Sequence, residues 1–428
     1  MRILLCLVLF ATPLSAQQKH ASFQLKNGLT VVLRPITGCT DVAMVTLFDL
    51  GEYHDPKGKS GLAHLVEHCY VTSAAGKTPL RTYTQLIKRY PKGHNAQTGS
   101  HFTVIAFVFE AKKLEDELTE AAARMSQLRI TREDLLREKP RMKSEVANMF
   151  GRLPHLAVTN LAREQILPSP RGGRKGGQTD HIEKISLKEA QQHWKSYYRP
   201  NNAILILAGA VDQKGTRALV EKHFGRIEKG QAVPKPGEVE TAKSAKLREI
   251  EVQSISPSFG SRVALAWKAP RPGDKDYAAY LILANRLAYT AFPLRTSSNP
   301  IPIAVRTLDD PDLISMQVEA KKDEKPEDAL ARLDKLVVKA LEKKLSASDL
   351  RNVETFFGSF LGLRDQPDLF LSRVPYFVAF SLGRRIQMGV DGEKIKKSLK
   401  AVTDKDLKRV AEKWFGKQRA AIFVRVKK

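Results

Sequence analysis

A chain of 428 residues, 42% of them hydrophobic, is too long for one ordinary core and implies two or more domains. Its formal charge of +25 invites anionic partners, yet the basic residues are dispersed along helical stretches, as at Lys335, Lys339, Lys343 and Lys344, without interleaved aromatics. That pattern argues against nucleic acid and leaves acidic peptides, or a peripheral attraction to an anionic membrane surface, as charge-driven partners.

Residues 1–16 read as a secretory signal. Arg2 supplies the positive end, Ile3 to Phe10 the apolar core, and Leu14-Ser15-Ala16 a cleavage site before Gln17. The apolar run is too short to span a bilayer, and no other stretch approaches that length. A periplasmic or secreted protein is expected. Export leaves Cys39 and Cys69, which either pair in an oxidising compartment or stay as two buried thiols. Neither reads as a metal ligand.

Phe23 to Leu33 alternates around Asn27-Gly28, a hairpin signal, and Val42 to Leu50 reads as a strand. The densest chemistry follows, in His64-Leu65-Val66-Glu67-His68. Residues four apart share a helix face, so His64 and His68 can point at one ion, with Glu67 beside them. Neutral imidazoles suit zinc, and an open zinc site keeps one position for a water whose proton a nearby carboxylate can take. The order H-x-x-E-H is that of the inverted zinc-peptidase motif, a pattern that chance gives in on the order of one such chain in a hundred.

A second helix is expected around Tyr83 to Tyr90, a strand over His101 to Phe109 and a helix over Leu114 to Leu128. Thr131 to Asp134 reads as a capped helix start leading through Glu138 and Glu145. These two glutamates lie two turns apart, an axial offset of about 10 Å, so one should ligate the ion and the other support it. Pro140 stands between them and predicts a kink or a restart.

Ser186 opens another helix, Ala203 to Ala208 is an apolar strand, and 229–246 reads as a linker between an N-terminal domain, 17–228, and a C-terminal one, 247–428. An internal repeat is visible. Ser186-Leu187-Lys188-Glu189 leads through Trp194 to Tyr197-Tyr198 and the strand at Ala203, and Thr403-Asp404-Lys405-Asp406 leads to Trp414-Phe415 and a strand at Ala421. The expected fold is α+β in two homologous halves, each a mixed sheet packed with helices. The second half has no H-x-x-E-H.

These features resemble the pitrilysin/insulinase family of zinc peptidases, in particular its shorter members related to the mitochondrial processing peptidase. The resemblance rests on the His pair, on Glu145 standing 77 positions after His68, and on Gly51, Gly61-Leu62-Ala63 and Gly76-Lys77-Thr78. It also rests on Asn95-Ala96-Gln97-Thr98 with Thr103, Tyr198-Arg199-Pro200-Asn201-Asn202 and Gly209-Ala210-Val211-Asp212. It implies a Zn2+ ion held by His64, His68 and Glu145, Glu67 as the base that activates its water, and Glu138 as the supporting carboxylate. It implies that a peptide substrate adds as a β-strand near Asn95 and Ala96. It further implies an arginine followed seven residues later by a tyrosine in the second half. Arg295 is present in that region, but position 302 is Pro and Tyr289 precedes it. A homodimer, or a heterodimer with a similar subunit that supplies the pair, is therefore expected. The other possibility is a non-hydrolytic or partner-dependent subunit of a peptidase complex.

Overall fold

The computed structural model describes residues 20–148, 154–166, 176–233, 246–253, 260–294, 303–305, 313–363 and 374–427. The expected signal at 1–16, most of the expected linker and the Arg295–Pro302 region lie outside them.

The first sheet is built from β1 (Ala21–Gln24), β2 (Thr30–Pro35), β3 (Asp41–Phe48), β4 (His94–Thr98), β5 (Thr103–Glu110) and β6 (Ala203–Gly209), in the order β1-β2-β6-β3-β5-β4. The hairpin expected at Asn27-Gly28 is present, with Phe23 opposite Val31 and Gly28 at φ 91°. β4 was not foreseen as a strand. It carries His94, Asn95, Gln97 and Thr98 around one alanine, so it lacks the apolar alternation that marks a strand.

The second sheet contains β7 (Arg248–Gln253), β8 (Arg262–Lys268), β9 (Ile303–Val305), β10 (Leu313–Glu319) and β11 (Ala420–Lys427), in the order β7-β11-β8-β10-β9. Its plan repeats that of the first. β2 runs parallel to β6 as β7 does to β11, and the remaining neighbours are antiparallel in both. The repeated ends match too. Ser186 and Thr403 both cap their helices reciprocally with the acid three residues on.

The helices of the first half are α1 (Leu62–Thr72), α2 (Tyr83–Arg89), α3 (Leu114–Gln127), α4 (Arg132–Ala147), α5 (Pro154–Ile166), α6 (Thr179–Glu183), α7 (Leu187–Tyr197) and α8 (Gln213–Phe224). Those of the second are α9 (Tyr277–Ala291), α10 (Pro326–Leu341), α11 (Ala347–Leu361), α12 (Pro375–Gln387), α13 (Gly392–Lys400) and α14 (Asp404–Trp414). One face of the first sheet packs on its own helices through Leu33, Phe48, Leu65, Ile105 and Leu207. The opposite face carries Val45, Phe102, Val104 and Ile206, and is covered by Ala379 and Leu382 of α12, from the second half. The exchange is mutual. Val158, Leu161, Ala162 and Ile166 of α5 cover Ala264, Ala266, Ile422 and Val424 of the second sheet. Gly383 lets α12 lie this close, since a Cβ there would meet Leu47 Cδ1 at 2.4 Å and Ile206 Cδ1 at 2.6 Å.

Pro140 neither ends nor restarts its helix, because α4 is continuous through it. Proline frees the carbonyl four residues back, and that residue, Leu136, is 67% exposed, so water can take the freed acceptor. Cys39 and Cys69 are both free thiols, the second fully buried. Among the described residues no helix is long and apolar enough to cross a membrane.

Candidate functional site

Helix α1 is preceded at its N-cap by Gly61, which has no side chain to cap it and a left-handed backbone. Asp55 caps it from the preceding loop, accepting from the Gly61 N–H at 2.7 Å and the Ala63 N–H at 2.8 Å. One turn further, His64 and His68 converge with their Nε2 atoms 3.2 Å apart. His64, Glu67 and His68 form a compact group of potential metal ligands among the described residues. Glu145 faces it from α4, with its carboxylate oxygens 3.8 Å from His64 Nε2 and 3.6 Å from His68 Nε2.

The outer ring nitrogens are already committed. His64 Nδ1 donates to the Gly176 carbonyl at 3.0 Å, and His68 Nδ1 donates to Glu138 Oε2 at 3.3 Å. Both acceptors leave the Nε2 atoms as the lone-pair sites of neutral rings. Two lone pairs at 3.2 Å repel unless a proton or a metal ion lies between them. Two nitrogens of a tetrahedral zinc, each bound at 2.0–2.1 Å, stand about 3.3 Å apart. The donor set of two imidazoles and one carboxylate, with both rings oriented from behind, therefore fits zinc.

Glu138 is 1% exposed and densely held. It accepts from the Thr72 hydroxyl at 3.0 Å, Arg137 Nε at 3.0 Å and an Arg141 guanidinium nitrogen at 3.0 Å. Burial pushes its pKa up, but the His68 hydrogen bond and the arginine charges outweigh it and bring the value down to about 2. Glu138 is thus an ionised support for His68. Burial likewise pulls His64 down, while Glu67, Glu145 and the Gly176 carbonyl together hold it above the ordinary imidazole value.

Glu67 is 4% exposed, and its Oε2 accepts from the Thr98 hydroxyl at 2.7 Å. Thr98 sits on β4, the last strand of its sheet, whose outer edge has no strand partner among the described residues. The alternation of β4 turns His94, Ala96 and Thr98 towards α1, and Asn95 and Gln97 towards α12. Asn95 Nδ2 donates to the Tyr376 hydroxyl of α12 at 2.9 Å. Asn95 and Ala96 both line the wall of a cavity of about 680 Å³ that also exposes His64, Glu67, His68 and Glu145. His94 packs edge-on to Tyr83, and His101 meets Arg271 at 3.2 Å, so neither joins the His pair.

Four supporting residues lay beyond the sequence reading. Thr98 stood in a quoted segment without a role, and strand alternation from Ala96 would have turned it inward. Thr72 is one turn from His68 on the same helix. Gly176 and Glu52 carried no signal, since their contacts to each other and to His64 are non-local.

Comparison with known proteins identifies the family and the fold. Residues 31–166 match the profile described as insulinase (peptidase family M16), and residues 184–353 match the M16 inactive domain. Zinc protease PqqE of Helicobacter pylori is 27% identical over 274 residues, which are 63% of this chain and 61% of that protein. The probable mitochondrial-processing peptidase subunit beta of Schizosaccharomyces pombe is 27% identical over 229 residues, 51% of this chain and 47% of its own length. This chain therefore spans about half to three-fifths of these curated relatives. The crystal structure of a protease from Helicobacter pylori superposes with a TM-score of 0.76 at 21% identity, covering 95% of this chain and 99% of that one. The first half of the periplasmic protease PqqL from Escherichia coli gives 0.66 at 18% identity, covering 96% and 92%.

Proposed function

The chain belongs to the insulinase family of peptidases, M16, and from that premise we propose that it is an exported, zinc-dependent endopeptidase of short or unfolded peptides. The observation that carries this reading is the pair of Nε2 atoms 3.2 Å apart, each on a ring oriented from behind, with Glu67 beside them. His64, His68 and Glu145 would hold the zinc, which supplies a Lewis acid that polarises a peptide carbonyl and acidifies water.

The chain's own residues do the rest. The Thr98 hydroxyl occupies Glu67 Oε2, which leaves Oε1 to take a proton from the attacking water. As the C–N bond breaks, Glu67 returns that proton to the departing amine, so one carboxylate serves as base and then acid. Glu138 holds His68 in the tautomer that presents Nε2. The free edge of β4 offers backbone donors and acceptors to an extended peptide along Asn95 and Ala96, a mode that selects extension over sequence. Folded proteins would not fit that edge.

A specific observation favours a second reading, in which the chain is the zinc-carrying subunit of a complex. The second half has no arginine–tyrosine pair at the expected spacing around Arg295 and Pro302. A homodimer, or a heterodimer with a similar subunit, would supply those groups. The test is hydrolysis of a quenched, unstructured peptide library by the mature protein, with zinc content read on the same sample. Chelator-sensitive cleavage supports an independent peptidase, and zinc without cleavage supports the partner-dependent subunit. Glu67→Gln should keep zinc and lose about 10²- to 10⁴-fold in kcat. Unchanged turnover would remove Glu67 from the mechanism.

A further inference from the structure

His68 is oriented by a carboxylate on a neighbouring helix, but His64 is oriented by a backbone carbonyl at the end of a connection between helices, residue Gly176. Such a carbonyl orients a ligand only if something holds it. Here the Gly176 N–H donates to Glu52 Oε1 at 2.7 Å. Glu52 is only 8% exposed and belongs to a 3-10 turn, Glu52–His54. That turn is fixed in its own right, because the Glu52 N–H donates to the Gly99 carbonyl at 3.0 Å and the Tyr53 N–H to the Ser100 carbonyl at 3.1 Å. Gly177 adds a steric lock. It lies on Gly61, the residue before α1, so closely that a Cβ on Gly177 would meet the Gly61 Cα at 3.0 Å.

We propose that Glu52 and Gly176 form a positioning relay for the metal centre: Glu52 anchors the Gly176 backbone by its N–H, and the carbonyl of the same residue sets the tautomer and tilt of His64. This rests on the zinc reading above. The relay runs from the β4–β5 turn through Glu52 and Gly176 to His64, and gives the first histidine a support parallel to that which Glu138 gives the second. Burying a carboxylate to hold one peptide N–H is costly in isolation, and a divalent cation on the far side of His64 offsets that cost. Glu52 reaches the wall of the cavity but lies outside the compact ligand group, and it acts on His64 through Gly176. It is a positioning residue.

The test is zinc affinity by chelator competition on the purified full chain, with the visible spectrum of the Co2+-loaded protein as a readout of ligand geometry. Glu52→Ala should weaken zinc about 10- to 100-fold and alter the cobalt bands. Glu52→Gln keeps an acceptor at the same reach and should restore most of both. Glu52→Asp keeps the charge but withdraws it by one carbon, and should behave like Ala. It also serves if the Ala variant does not fold. Folded Ala or Asp variants with the affinity and cobalt spectrum of the unmodified chain would overturn the relay while leaving the peptidase reading intact. An unmodified chain that binds no zinc would overturn both.

Discussion

At the scale of single residues, the proposed function separates groups that would hold a metal from groups that would aim the base. Thr98→Val removes the hydroxyl that fixes one oxygen of Glu67. A hydrogen bond to a charged group is worth about 1.5–3 kcal/mol, so kcat should fall about 10- to 100-fold while zinc content and KM hold. Equal loss of zinc would show that Thr98 is structural. Zinc binding should also depend on pH in one direction. His64 titrates above the ordinary imidazole value in the metal-free protein, and a protonated ring cannot bind metal. Affinity measured by competition should therefore weaken as pH falls through that value and level off above it. A flat profile would count against His64 as a ligand. The five residues from His64 to His68 were legible because one helical turn holds their chemistry. Glu138 and Glu145 were legible as a pair two turns apart, and only the family resemblance set Glu145 as the one nearer the ion. Glu52 and Gly176 were not, since 124 positions separate them and neither has a local pattern.

At the scale of elements, α1 depends on a cap that is not adjacent to it. Burial pushes the Asp55 carboxyl up to about 7, against the two N–H groups it accepts from. The folded protein thus keeps that proton to a higher pH than the unfolded chain, whose aspartate titrates near 3.8. The associated stability is fully present below that value and is lost as pH rises towards 7, a fall on the order of 4 kcal/mol. In chemical unfolding of the metal-free protein, Asp55→Asn should flatten the pH dependence between 4 and 7. An unchanged slope would assign the titration elsewhere. The helices α1 to α4, α7 and α14, and the strands β1, β2, β3, β5, β6 and β11, were readable because their patterns are regular. β4 was not, because it is polar on both faces, one turned to the cavity at the His pair and one to Tyr376. The restart offered at Pro140 failed for a related reason. Its cost depends on whether the freed carbonyl meets water, and exposure cannot be read from the helix's own sequence.

At the scale of the whole molecule, the repeat was visible at the two capped helices, but the exchange of α5 and α12 between the halves was not. Nothing in an amphipathic helix states which sheet it will cover. Residues 17–228 expressed alone should therefore expose Val45, Phe102 and Val104, bind a hydrophobic dye and lack a cooperative unfolding transition, whereas co-expression with 247–428 should abolish the dye binding and restore the transition. A soluble, cooperative N-terminal half would contradict that dependence. The same exchange sets a clock during synthesis. The first sheet has all its strands once residue 209 has been made, yet the helix that covers its far side ends at Gln387. At 5–20 residues per second the ribosome needs roughly 10 to 40 s to cover that distance. For that interval an apolar sheet face stands bare on a nascent chain, open to aggregation until the second half is made.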